Sequence, residues 1–154
     1  MAGRSMQTTL KRNTSNMKRV FLDTNIVIDF LGERENFYEP AAKIISLADN
    51  KKIKLFVSAI SMATAYYIVA KYENKRAALE KIRKFKVLCE ISSMDNEVFD
   101  KALHSQFNDF EDALQYYSAV ECSCDLIITR NEKDFTTALI PVMNPKNYLH
   151  TIRM

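Results

Sequence analysis

The chain has 154 residues, 47% of them hydrophobic, and a net charge of +3 at neutral pH. That length supports one domain with a full core and is short for two. The glycines are Gly3 and Gly32 alone, so neither a phosphate-cradling P-loop nor a dinucleotide G-x-G-x-x-G turn can be built, which excludes enzymes that use a nucleotide cofactor.

Arg4, Lys11, Arg12, Lys18 and Arg19 fall in the first 22 residues with no acid among them, so removing these five charges leaves the remainder at about −2. Residues 1–17, rich in Ser, Thr and Asn, read as a polar, basic, mobile tail ahead of a single domain over 18–154. The tail has no apolar stretch of the kind a signal peptide needs. A strand follows from Arg19 to Asp23, then a helix from Asn25 to Leu31 on the pattern Ile26, Val27, Phe30, Leu31. Asp23-Thr24-Asn25 therefore stands where a buried strand releases the chain. In a parallel sheet that is the edge where ligands and chemistry are placed, although an Asp there can equally cap the next helix.

A helix from Pro40 to Asn50 leads to a strand from Lys54 to Ser58 and a helix from Ile60 to Tyr72. The apolar run Phe56 to Ala70, broken by Ser58, Ser61 and Thr64, falls short of the ~20 residues that cross a bilayer, so a soluble cytoplasmic protein is expected. Tyr66, Tyr67 and Tyr72 with Ile68 and Val69 give this helix an aromatic surface suited to core packing or to a dimer interface. The next helix, Lys75 to Phe85, lies in a stretch carrying Lys71, Lys75, Arg76, Lys81, Arg83, Lys84 and Lys86 against Glu73 and Glu80. Such an edge can track phosphates; the plainer reading is a solvated helix with Leu79, Ile82 and Phe85 inward.

A strand from Val87 to Ile91 and a helix from Glu97 to Phe107 precede Asp109, Glu111 and Asp112, which open a helix from Glu111 to Cys122. Asp109 and Asp112 share a face if both are helical, and acids at a helix start also meet its dipole. A strand from Leu126 to Thr129 runs into Arg130-Asn131-Glu132-Lys133-Asp134-Phe135, and a short strand from Ile140 to Met143 follows. Alternating strands and helices imply an α/β fold, a three-layer α/β/α sandwich with a mainly parallel central sheet. Cys89, Cys122 and Cys124 lack zinc spacing and read as reduced thiols; His104 and His150 are isolated, without the neighbours of a triad or zinc site.

The chemistry left to the chain is carboxylate. Acids converging from Asp23, Asp112 and the segment after Thr129 repel one another unless a cation neutralises them, and all-oxygen ligation suits Mg²⁺ or Mn²⁺. In order, the Asp-Thr-Asn triplet, the Asp109-x-x-Asp112-Ala-Leu helix start, Thr129-Arg130-Asn131-x-x-Asp134-Phe135 and a late Asn144-Pro145 resemble a PIN domain, the fold of metal-dependent ribonucleases that includes VapC-type toxins of bacterial toxin–antitoxin pairs. The resemblance covers Lys18 to Leu149.

It implies a Mg²⁺- or Mn²⁺-dependent endoribonuclease in which Asp23, Asp112 and Asp134 are catalytic and ligate metal. Asp109 also belongs to the metal site, where it or Glu111 would add negative charge or Thr64 would hold a metal-bound water; Thr24 and Asn25 would orient Asp23, and Thr129 and Arg130 would contact the scissile phosphate. Asn131 is the other candidate for the place given to Asp134. The resemblance further implies an RNA substrate, a small antitoxin partner and a homodimer. One position departs from the family pattern: Thr64 stands where PIN nucleases usually carry Glu. A neutral hydroxyl does not supply that charge, so the alternative is a catalytically silent PIN-fold module that binds RNA or protein. A phospho-acceptor receiver is disfavoured because Asp23 lies on the first strand, and a haloacid-dehalogenase-like phosphatase because Asn25 replaces its second Asp.

Overall fold

The computed structural model describes residues 17–152; the expected tail lies, Met17 apart, outside the described residues. Strands β1 (Lys18–Leu22), β2 (Ile53–Ser58), β3 (Cys89–Ser92), β4 (Leu126–Ile128) and β5 (Val142–Met143) form one sheet in the order β3-β2-β1-β4-β5. Every strand pair is parallel.

Side chains in a strand alternate between faces, and here the alternation divides the core in two. Val20 and Leu22 of β1, Leu55 and Val57 of β2, and Leu126 and Ile128 of β4 join the larger cluster. Phe21, Phe56 and Ile127, one residue out of phase, join the smaller one on the opposite face. Over the larger face lie helices α1 (Thr24–Leu31), α2 (Tyr38–Asp49), α3 (Ala59–Tyr72), α4 (Lys75–Lys86) and α7 (Pro145–Thr151). Helices α5 (Asn96–Leu103) and α6 (Phe110–Glu121) cover the other face. These are the expected three layers.

The sheet order explains why the layers separate. The chain steps from β1 to β2 to β3 in one direction, then returns to the far side of β1 to lay down β4. Right-handed crossovers in opposite directions put their helices on opposite faces and leave a crevice at the carboxyl ends of the two strands between which the order reverses. Those strands are β1 and β4. Their ends are pinned together where the Asp23 N–H donates to the Ile128 carbonyl at 2.9 Å.

Several boundaries differ from the sequence pattern. The third strand begins at Cys89 instead of Val87, because Val87 is held as the C-cap of α4 and is 84% exposed. Helix α5 stops at Leu103, four residues before Phe107, where the Ser105 hydroxyl takes up the Ala102 carbonyl at 2.9 Å. Phe107 instead packs against Tyr116, Tyr117 and Phe135. The pattern also omits α7, although Asn144 caps it by accepting from the Asn147 N–H at 2.8 Å and Pro145 supplies a preset first turn. Phe85 of α4 is buried as expected, Ile82 is half-buried, and Leu79 is exposed. The three cysteines are free thiols. Among the described residues no helix is long and apolar enough to cross a membrane.

Phe21 is fully buried in the smaller cluster, so Phe21→Ala is expected to cost about 3–5 kcal/mol in urea unfolding. Leu139→Ala, at a residue 91% exposed, should stay within about 0.5 kcal/mol of the parent in the same measurement.

Candidate active site

Asp23 is the N-cap of α1 and only 6% exposed. A carboxylate so buried needs its lone pairs filled, and three elements fill them. The Thr24 N–H donates to Oδ1 at 2.9 Å, the Thr129 hydroxyl to Oδ2 at 2.8 Å, and Gln115 Nε2 to Oδ1 at 3.2 Å. Helix α1, strand β4 and helix α6 thus meet on one side chain.

The donors are themselves held. Thr129 Oγ1 accepts from Asn25 Nδ2 at 3.2 Å and from the Asn131 N–H at 3.1 Å while it donates to Asp23, which occupies its one hydrogen and both lone pairs. Asn25 Oδ1 accepts from the Arg130 N–H at 3.2 Å. Gln115 is fully buried, and its Nε2 also reaches Ser61 Oγ at 2.8 Å and Thr24 Oγ1 at 3.2 Å. The Thr24 hydroxyl meets Ser61 at 2.7 Å and lies 3.4 Å from Glu111 Oε1. Ser61 is fixed by Ser58, which caps α3. Ser61 is thus the α3 side chain hydrogen-bonded into this group, and Thr64 lies half-buried one turn further along.

The remaining acids act on Asp112. Its carboxyl is pushed up from 3.8 to about 7, first by burial and then by the negative charges of Asp23, Asp109, Asp134 and Glu111. Asp109 is the N-cap of α6, accepting from the Asp112 N–H at 3.0 Å, so it sits before the helix instead of on its face. Asp134 lies in a single 3₁₀ turn (Glu132–Phe135), its N–H bonded to the Asn131 carbonyl at 3.0 Å. The Asn131 side chain is exposed.

Two side chains are engaged differently from the expectation of phosphate contact. The Thr129 hydroxyl is directed at Asp23. The Arg130 guanidinium makes a two-pronged contact with Asp29, at 2.6 and 3.2 Å, and lies 4.0 Å from the centre of the Phe37 ring. Asp29, Ser61 and Gln115 had not been singled out by pattern. For Asp29 the signal is a lone polar residue inside the apolar helical run Ile26 to Leu31, and for Gln115 a polar residue set among Ala113, Leu114, Tyr116 and Tyr117.

The donor chemistry fits a hard divalent cation. The site is all oxygen, its carboxylates repel one another, and Gln115 Oε1 is buried with no partner. Among the described residues no three acid, histidine or cysteine side chains converge as a ready ligand set. A cation here would rest on one or two of Asp23, Asp112 and Asp134 with water completing its shell, the usual manner of Mg²⁺.

Because the folded state raises the Asp112 pKa, it is stable relative to this group below about pH 3.8 and loses that advantage as the pH climbs to about 7. In metal-free buffer Asp112→Asn should therefore melt higher than the parent at pH 8 and equal to it at pH 4. Added Mn²⁺ should narrow the gap at pH 8, which thermal unfolding with and without the ion would read.

A family model described as a PIN domain matches residues 19–133. Ribonuclease VapC1 of Aquifex aeolicus (strain VF5) is 29% identical over 138 residues, spanning 86% of this chain and 94% of the relative. A toxin-antitoxin complex from Klebsiella pneumoniae superposes with a TM-score of 0.63 at 21% identity, covering 82% of this chain and 97% of that one. VapBC2 from Rickettsia felis, bound to a DNA fragment from its promoter, gives 0.61 at 19% identity with the same coverage. VapC20 of Mycobacterium tuberculosis, described as a sarcin-ricin loop cleaving toxin, gives 0.60 at 12% identity over 79% of this chain and 95% of that one. These likenesses carry the parallel α/β fold, and the family match, which spans most of the chain and contains Asp23, Asp112 and Thr129, carries membership: the chain belongs to the PIN domain family.

Proposed function

We propose that the protein is a divalent-cation-dependent endoribonuclease and the toxin of a toxin–antitoxin pair. The observation that carries this reading is the buried Asp23, held by three donors at the sheet crevice, with Asp112 pushed to about 7 beside it. A fold that only needed a helix cap would have no reason to crowd Asp23 and three further acids around a second half-buried carboxyl. Likeness to a ribonuclease over 94% of that relative's length, and to solved toxin–antitoxin complexes, supports the same reading.

In it, Asp23, Asp112 and Asp134 hold Mg²⁺ or Mn²⁺, one or two of them directly and the rest through its water, and the ion when bound supplies an acidified water and a charge for the phosphoryl oxygen. Asp134 is preferred to Asn131 because its charge already acts on Asp112. Asp109 and Glu111 add to the field that attracts the cation. Thr24, Asn25, Thr129 and Gln115 are positioning residues: they fix the Asp23 carboxylate in one orientation, so little reorganisation is left for the reaction. Arg130, neutralised in part by Asp29, can still present guanidinium hydrogens to RNA. Thr64 reduces the charge available to the cation, and Ser61 and Gln115 fill the polar space beside it.

The partners follow the same reading. Tyr67 and Tyr72, 72% and 80% exposed on α3, offer an aromatic face for a homodimer in the cytoplasm. A short reading frame for a small DNA-binding antitoxin is expected next to the gene. The specific alternative, a silent RNA- or protein-binding module, is favoured by Thr64 alone.

Cleavage of a mixed structured and single-stranded RNA panel in Mg²⁺ and Mn²⁺ decides between them. Asp23→Asn and Asp112→Asn should abolish cutting, and Thr64→Glu should lower the Mn²⁺ concentration required. Gln115→Leu should reduce kcat about 10- to 100-fold with KM little changed, as expected when a supporting hydrogen bond to a metal-site carboxylate is removed. Parental activity that survives Asp23→Asn would overturn the reading; silence of the parent with activity in Thr64→Glu would identify a silenced nuclease.

A further inference from the structure

A cavity of about 370 Å³ opens at Arg130, the residue after Thr129, with Asp29, Asn36, Phe37, Lys146 and Asn147 among its other walls. We propose that it is a base-recognition subsite, taking one nucleobase of the RNA next to the scissile phosphate; this rests on the ribonuclease reading. Its size is at the small end for ligand pockets and suits a single nucleotide.

The walls supply what a base needs. Phe37 is 42% exposed, and the Arg130 guanidinium lies 4.0 Å from its ring centre. Unpaired bases stack on aromatic rings and on arginine planes. This pair is rigid, because Asp29 grips the guanidinium at 2.6 and 3.2 Å. The Asp29 charge is answered twice, by Arg130 and by Arg34 at 3.7 Å, so the cavity with Lys146 is net positive. A phosphorylated ligand suits such walls, and a basic peptide does not.

Base edges need paired donors and acceptors. Asn36 and Asn147 are exposed and bring amides that offer both. The Asn144 amide is already occupied, donating to Glu132 at 2.8 Å and accepting from the Asn147 N–H.

Position ties the cavity to the chemistry. Arg130 directly follows Thr129, whose hydroxyl holds Asp23, and its own N–H is bonded to Asn25. A phosphate at Asp23 and Asp112 would thus have a neighbouring base within reach of Phe37. Beyond, a second depression of about 430 Å³ shares Pro40 and Lys146 with the cavity and continues past Lys43 and His150, with Glu39 as its one acid, a path of small positive charge for the next phosphates.

The test uses the full chain and its Phe37→Ala and Lys146→Ala variants, the latter at an exposed residue where folding is not at issue. Ligand-observed NMR with the four 5′-nucleoside monophosphates should show one base bound preferentially, and Phe37→Ala should weaken it roughly tenfold or more. Asp112→Asn, expected to abolish cutting, should leave this binding in place. Sequencing the ends cut from a random RNA pool should place the same base at a fixed offset from the cut, a preference lost in Phe37→Ala. Absence of mononucleotide binding, or a cut preference unchanged in both variants, would overturn the proposal. A parent that binds a mononucleotide through Phe37 but cuts no RNA would overturn the ribonuclease reading and leave the subsite standing.

Discussion

The structure depends on keeping one carboxylate in a place that disfavours it. Asp23 sits at the carboxyl end of the central strand, almost out of water, and stays there because a helix N-terminus, a strand-end hydroxyl and a buried amide each donate to it. Those donors come from α1, β4 and α6, on both faces of the sheet. The hydrogen bonds that satisfy a charge therefore also set how the two helical layers stand against each other. Thr129 has no free valence left, so displacing it disturbs Asn25 and Asn131 together with Asp23.

Around this satisfied acid is an unsatisfied one. Asp112 is crowded by Asp23, Asp109, Asp134 and Glu111, and no arginine or lysine of the site offsets them. Arg130, which follows Thr129, is already gripped by Asp29 and lies against Phe37. Local conflict of this kind, in a fold otherwise consistent in pattern, capping and packing, is what a binding function leaves in a structure.

Much of this was legible in the chain. Three apolar residues before Asp23 define a strand buried on both faces, and the same logic holds for Leu126 to Ile128. The acids at 109–112 announce a helix start because they are caps as well as charges. Gln115 was hidden for a physical reason: a glutamine at helical spacing is ordinarily on the surface, and only the burial of 113–116 all round makes it internal. Helix α5 ends earlier than the apolar period implies, because Phe107 continues the period yet packs into a separate aromatic cluster. The cavity walled by Asn36 and Phe37 depends on the backbone path of a loop, to which periodicity is blind.

The far edge of the sheet has a bearing on company the protein keeps. Strand β5 is two residues long and is preceded by Pro141, which has no N–H to offer a neighbour. Pro141 and Met143 turn their carbonyls inward, where they accept from Ile127 and Thr129, so the outer edge of this short strand is left with the backbone groups of Val142. A visiting chain finds almost no backbone template there, so this border resists strand addition and the runaway stacking that open sheets invite. Whatever recognises the protein along this border must do so by the chemistry of side chains, which is a code that can be changed one residue at a time.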